Sequence, residues 1–126
     1  QMVLDSSCGA VSSFIGTTRD NFNGKEVVRL EYEAYIPMAL EEMKKIGLSV
    51  VKKWPDVFKI VFAHRIGIVP VLEGSIAIYI SSRSPKGVSE ITGCCISMQA
   101  HKKKGHTAPG WLEFEHRIGM LVKRVL

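Results

Sequence analysis

Between Glu26 and Trp54 the apolar residues of this chain change their period once, and a proline marks the change. From Glu26 to Tyr35 they alternate. Val28, Leu30, Tyr32 and Ala34 fall on one face and Arg29, Glu31 and Glu33 on the other, the pattern of a half-buried strand. After Pro37 the period becomes helical: Met43, Ile46, Gly47, Val50, Val51 and Trp54 share one face, while Glu41, Glu42, Lys44, Lys45, Lys52 and Lys53 lie mostly on the other. Pro37 suits a first helical turn, where a missing N–H costs little, and Pro55 ends the run. A strand that feeds an amphipathic helix implies a helix packed on a sheet.

The flanking sequence extends this pattern. Cys8 to Gly16 is small and apolar and predicts a buried strand. Asn23-Gly24 is a strong turn signal, so this strand and the next read as a pair joined by a loop of about eight residues, longer than the usual hairpin connection. Val57 to His64 predicts a strand, Gly67 to Gly74 a connection or short extended arm containing Pro70, and Ser75 to Ser81 a β-branched strand. Val88, Ile91, Cys95 and Met98 are spaced as a helix seam. Glu113 to Leu126, with Phe114, Ile118, Leu121, Val122 and Val125 on one side, predicts a last helix. The order β-β-α-β-β-α predicts an α+β fold, a single domain over residues 1–126 with helices packed on a mainly antiparallel sheet.

Composition narrows the functional class. With 46% hydrophobic and 23% charged residues the chain reads as an ordinary globular protein, and no apolar run approaches the roughly 18 residues that span a bilayer. The first residues lack a basic region followed by an apolar stretch, so no signal peptide is read there. The three cysteines, Cys8, Cys94 and Cys95, are an odd number, which favours reduced thiols and a cytosolic setting. The net charge of +5 points to an anionic partner. One cation is oddly placed: Arg19, in the stretch Thr17-Thr18-Arg19-Asp20-Asn21, heads a loop where turn residues alone would suffice.

Three stretches, CGAVSSFIGTTRDNFNGKEVVRLEYEAYIPMALEEMKKI, KKWP and HRIGIVPVLEGSIAIYISS, resemble the large, catalytic subunit of molybdopterin synthase, the MoaE family, in its eukaryotic form. The likeness runs from about Cys8 to Ser82 without visible gaps, and the G-T-T-R-x-N loop followed by L-E-Y-E-A-Y is its most specific part. The resemblance implies the MoaE α/β hammerhead fold and a sulfurtransferase. Such an enzyme converts precursor Z, a cyclic pyranopterin monophosphate, to molybdopterin by installing a dithiolene. It implies a small, ubiquitin-like partner subunit whose C-terminal glycine thiocarboxylate carries the sulfur, and a heterotetramer in which two large subunits pair as a homodimer. It implies no metal or redox cofactor for the transfer. By the same resemblance Arg19 matches the family's active-site arginine, a binder of substrate phosphate or of the partner's tail.

After Ser82 the likeness weakens. The family continues S-S-x-H-R, a substrate-contacting pair, where this chain has SSRSPKG; Arg83 and Lys86 flank that place and are the candidate phosphate cations. The family then has a catalytic lysine followed by P-x-W-K-K-E. Here the sequence is HKKKGHTAPGWLEFEH, so Lys102, Lys103 and Lys104 are the catalytic candidates, Lys104 first because it is nearest Trp111, and Leu112 stands where a second lysine belongs. Residues 83–126 are therefore a divergent C-terminal part, which leaves a second reading open: a non-catalytic interaction protein of the same fold.

Other features have plainer expectations. His64 and Arg65 match the family's H-R-[IL]-G, and a structural role is expected for them. Glu31 and Glu33 are expected in salt bridges. Adjacent Cys94 and Cys95, with His101 and His106, chelate poorly compared with C-x-x-C, so packing rather than zinc binding is expected, and Cys8 likewise packs. The HKKKGH run lacks interleaved aromatics and any nucleic-acid-binding signature, so no nucleic acid is expected as a partner.

Overall fold

The computed structural model describes residues 3–22, 24–32, 35–100, 110–117 and 119–125, with side chains described through residue 96. In chain order the elements are β1 (Ala10–Thr17), β2 (Asn21–Phe22), β3 (Lys25–Glu26), β4 (Arg29–Tyr32), α1 (Ile36–Lys53), β5 (Val57–Pro70), β6 (Gly74–Ser82), α2 (Val88–Ala100), β7 (Gly110–Arg117) and β8 (Gly119–Val125). The main sheet has the order β1-β6-β5-β7-β8, with β4 added at the far end of β5, and every neighbouring pair is antiparallel. This is the expected α+β arrangement.

Strand periodicity builds the core. Ile60 and Phe62 of β5 lie opposite Ile80 and Ile78 of β6, and Ile78 lies opposite Phe14 of β1, so one face carries an apolar row across three strands. Both helices cover that face. From α1, Met43, Ile46, Gly47 and Val50 are buried, as the helical spacing predicts. α1 lies against β5 and β7, and α2 against β6 and β1. From α2, Ile91 and Cys95 complete the core, and Thr92 Oγ1 donates to Ser12 Oγ at 2.8 Å. Pro37 lies in the first turn of α1, Lys52 and Lys53 sit in its last turn beside the negative dipole end, and Lys53 Nζ stacks 4.5 Å over the Trp54 ring.

Three expectations are corrected. The first two predicted strands do not pair with each other: β1 pairs with β6 over its whole length, and β4 pairs with the end of β5, Tyr32 opposite Gly67 and Arg29 opposite Pro70. The predicted strand from Glu26 splits, because Lys25-Glu26 folds back on Asn21-Phe22 around Gly24, whose φ of +75° suits glycine; Asn23 is outside the described residues. The Gly67–Gly74 segment is thus an arm that continues β5 as far as Pro70.

The predicted last helix is a β-hairpin instead. β7 pairs with β5 from Lys59 opposite Arg117 to Ile66 opposite Gly110, and β8 returns along β7. The apolar residues of 113–126 fit either period, while the alternation of Glu113, Glu115 and Arg117 with Phe114 and His116 suits a strand. The deciding factor is nonlocal: β5 offers an open edge whose backbone groups need partners. Gly119 also disfavours a helix through this stretch.

Among the described residues no helix is long and apolar enough to cross a membrane. The free thiol of Cys95 is buried, and burial, reinforced by the neighbouring Cys94, pushes its pKa up from 9.0 to about 12. The folded state therefore holds this proton more tightly than the unfolded one. The stabilisation is complete below pH 9 and is lost as the pH rises toward 12. Denaturant titrations across that window are expected to show a falling stability whose slope is reduced in Cys95→Ala. An identical slope in both chains would contradict this reading of Cys95.

Candidate functional site

Around the end of β1 the chain leaves an open cleft of about 430 Å³. Phe14, Gly16 and Thr17 of β1 and Ser75 and Ile76 of β6 contribute one wall. Leu30 and Tyr32 of β4 contribute another, Asn21 and Phe22 of the β2–β3 hairpin overhang it, and Ile96 of α2 approaches from the helical layer. This volume lies in the range of small-ligand sites, as does a mostly apolar lining with few polar groups.

Arg19 is the cation of this lining. It is exposed, and among the described residues its guanidinium makes no hydrogen bond or ion pair. An unpaired guanidinium beside an apolar, aromatic-walled cleft suits a ligand with an anionic end and a flat or extended body. The sequence singled out Arg19 but gave no sign that Phe14, Phe22 and Ile96 would gather around it. Only Leu30 and Tyr32 were marked, as the inward face of an alternating run.

Behind the cleft, His64 meets the Tyr32 ring edge-on, with centroids 4.9 Å apart and planes at 82°. Its Nδ1 is 2.7 Å from the carbonyl oxygen of Arg65; a carbonyl can only accept, so Nδ1 carries the hydrogen. His64 thus supports the wall without lining it, which matches the structural role expected. Arg65 donates to the Glu73 carboxylate. Glu31 pairs with Arg29 of its own strand at 2.8 Å, while Glu33 is outside the described residues.

Arg83 and Lys86 are not brought to this cleft. Arg83 and Lys86 follow β6, whose end at Ser82 lies opposite Ala10, whereas Arg19 follows the other end of β1, where Thr17 lies opposite Gly74. The two places are separated by the length of the β1–β6 pair, about 23 Å at roughly 3.3 Å per residue. At its own place the Arg83 guanidinium lies 5.7 Å from the centre of the Phe58 ring, and its backbone is held by Asp56 and Gly9. Lys102, Lys103 and Lys104 lie outside the described residues. Leu112, in β7, is in register with His64. Among the described residues no three His, Cys, Asp or Glu side chains are grouped to hold a metal ion.

The family model described as MoaE protein matches residues 1–104. The chain belongs to the MoaE family. Among curated relatives, it is 58% identical over 82 residues to a molybdopterin synthase catalytic subunit from Drosophila erecta, covering 65% of this chain and 22% of that one. It is 50% identical over 97 residues to one from Taeniopygia guttata, covering 77% and 63%. The chain thus spans less than two thirds of the length of these relatives. Among solved structures, molybdopterin synthase from Staphylococcus aureus superposes with a TM-score of 0.70 at 30% identity, covering 96% of this chain and 84% of that one. A complex of subunits 1 and 2 of molybdopterin-converting factor from Helicobacter pylori shares the fold, with a TM-score of 0.58 at 21% identity over 94% of this chain and 71% of that one.

The floor of the MoaE-family cleft depends on a close approach. A Cβ on Gly16 would lie 2.8 Å from Ile76 Cγ2 and 3.4 Å from the Phe14 ring, and all three residues line the cleft. Gly16→Ala is therefore expected to destabilise the fold by about 1–3 kcal/mol through overpacking, read by denaturant unfolding. Wild-type stability would show that the floor yields without cost.

Proposed function

We propose that this chain is the catalytic subunit of a molybdopterin synthase. In this reading it transfers sulfur from the thiocarboxylated C-terminus of a small, ubiquitin-like subunit to precursor Z, forming the dithiolene of molybdopterin in molybdenum cofactor biosynthesis. The observation that carries the reading is Arg19, which lines an apolar cleft and has no hydrogen-bond or ion-pair partner among the described residues, in a chain of the MoaE family. The relatives named as molybdopterin synthase catalytic subunits and the two-subunit Helicobacter pylori complex support the activity and the partner. Three free thiols suit the cytosolic setting expected from the sequence.

The chemistry asks for fixed cations. Precursor Z brings a phosphate and the partner's tail a thiocarboxylate, so two anions meet in one cleft and Arg19 lowers their repulsion. A lysine from the Lys102–Lys104 run then stabilises negative charge, or donates a proton, as sulfur leaves the acyl carbon. One feature supports this assignment. α2 carries Thr92 at Ser12 and Ile96 at the cleft, so it runs toward the Arg19 end of β1, and the lysine run follows it after Ala100.

Arg83 and Lys86 reach the phosphate in this reading only from a second copy of the chain, which suits a homodimer of large subunits within a heterotetramer. The second reading, a non-catalytic protein of the same fold that dimerises or binds the small subunit, is favoured by Leu112 in place of a lysine.

Reconstitution decides between them. The chain is mixed with thiocarboxylated small subunit and precursor Z, and dithiolene formation is followed; product is expected, and a stable complex without product would establish the second reading. Arg19→Ala is expected to lower conversion by roughly 10²-fold or more with thermal unfolding unchanged, and near-normal turnover would remove Arg19 from the site. Replacement of Lys102, Lys103 and Lys104 together is expected to abolish turnover. Mixing inactive Arg19→Ala chains with inactive Arg83→Ala/Lys86→Ala chains is expected to restore roughly a quarter of wild-type activity, because half of the random dimers regain one complete site. No recovery would place these cations outside a shared site.

A further inference from the structure

The backbone that carries Arg19 is held from outside the cleft by the turn joining β5 to β6. Thr18 donates its N–H to the Glu73 carbonyl at 3.0 Å and accepts from the Leu72 N–H at 3.0 Å, so two consecutive residues of that turn grip the residue just before Arg19. The grip depends on an unusual conformation. Leu72 has φ +73°, in the left-handed region that residues with a Cβ enter at a cost, and its side chain is 86% exposed, so burial offsets none of it. Glu73 N–H closes the turn on the Pro70 carbonyl at 3.2 Å. The side chain of Glu73 reaches back to β5 and accepts from the Arg65 guanidinium.

These contacts form a connected path from Arg65 to the Glu73 carboxylate, from the Leu72 and Glu73 backbone to Thr18, and from Thr18 to Arg19. Thr18 is 2% exposed, and its hydroxyl has no partner among the described residues, so the segment is anchored through its backbone. Among the described residues the Arg19 side chain makes no hydrogen bond or ion pair that would place it. Neither Arg65 nor Glu73 lines the cleft.

We propose that Arg65 and Glu73 are a positioning pair that sets Arg19 against the cleft, acting through the 71–73 turn and Thr18 without touching the ligand. This rests on Arg19 as the anion-binding residue of the proposed function. The pair is part-exposed, so its contribution to global stability is small and its effect is local.

The test combines amide hydrogen exchange at Thr18, read by NMR on the full chain, with the affinity for precursor Z. In Arg65→Gln and Glu73→Gln the Thr18 amide is expected to exchange about tenfold faster or more, while thermal unfolding shifts by less than about 4 °C. Both variants are expected to weaken precursor Z binding several-fold, and to weaken it no further when Arg19→Ala is already present. The exchanged pair Arg65→Glu/Glu73→Arg is expected to recover Thr18 protection and binding. Leu72→Gly is expected to keep protection, because glycine adopts positive φ freely, and Leu72→Pro to lose it. Unchanged Thr18 exchange in both glutamine variants would overturn the proposal, as would binding losses that simply add to that of Arg19→Ala. If the wild-type chain neither binds nor converts precursor Z, the proposed function fails, and the positioning role toward Arg19 falls with it, while accelerated exchange would still establish the backbone clamp.

Discussion

The fourteen residues of β5 set the constraint on which the rest of this fold depends. A strand of that length exposes two rows of backbone donors and acceptors, and nearly all of those that are buried must be paired. β6 takes one edge from Val57 to His64, β7 takes the other from Lys59 to Ile66, and β4 takes the projecting end from Gly67 to Pro70. Once these partners are in place the apolar residues of β5 and β6 align on one face, and α1 and α2 have a surface to cover. The cleft is a by-product of the same arrangement. β4 is carried past the sheet by the projecting end of β5, and the gap between β4 and the end of β1 is where Arg19 lies.

Charge and shape divide the work in that gap. The aromatic and aliphatic walls of Phe14, Phe22, Leu30, Tyr32 and Ile76 offer area without a fixed hydrogen-bond pattern, and Arg19 offers the one charged contact among the described lining residues. In the proposed function, such a site recognises a ligand by the match between an anionic end and an apolar body. It also explains why backbone precision matters here. A guanidinium with no hydrogen-bond or ion-pair partner among the described residues is positioned by the segment that carries it, and that segment is pinned by Thr18 to a turn in which Leu72 holds a left-handed conformation.

Only a part of the candidate site could be read in the sequence, chiefly Arg19, Leu30 and Tyr32, and that part as a list of residues rather than as a place. Arg19 stood out as a cation where a turn needed none, and the G-T-T-R-x-N loop tied it to a family. Arg83 and Lys86 were candidates only because they flank the place of the family's missing pair, and they lie at the opposite end of the β1–β6 pair, because antiparallel pairing sends the residues after β6 back to the start of β1. Spacing along the chain carries no information about that separation. Phe22 and Ile96 gave no signal, since one is an aromatic residue in a polar loop and the other an ordinary helix apolar residue; they matter because hairpin and helix converge on the cleft.

The sequence by itself determined the elements whose pattern is local. The helical run between Pro37 and Pro55, the alternation around Leu30 and Tyr32, the β-branched run of β6 and the seam of α2 each bury one face whatever the neighbours are, so period and punctuation sufficed. Tertiary structure decided the rest. It paired β1 with β6 rather than with β4, it extended β5 to Pro70, and it turned the last apolar stretch into the β7–β8 hairpin. In each case the local pattern was compatible with more than one outcome. The choice was made by backbone groups on a distant strand edge, whose need for partners appears only when the sheet is assembled.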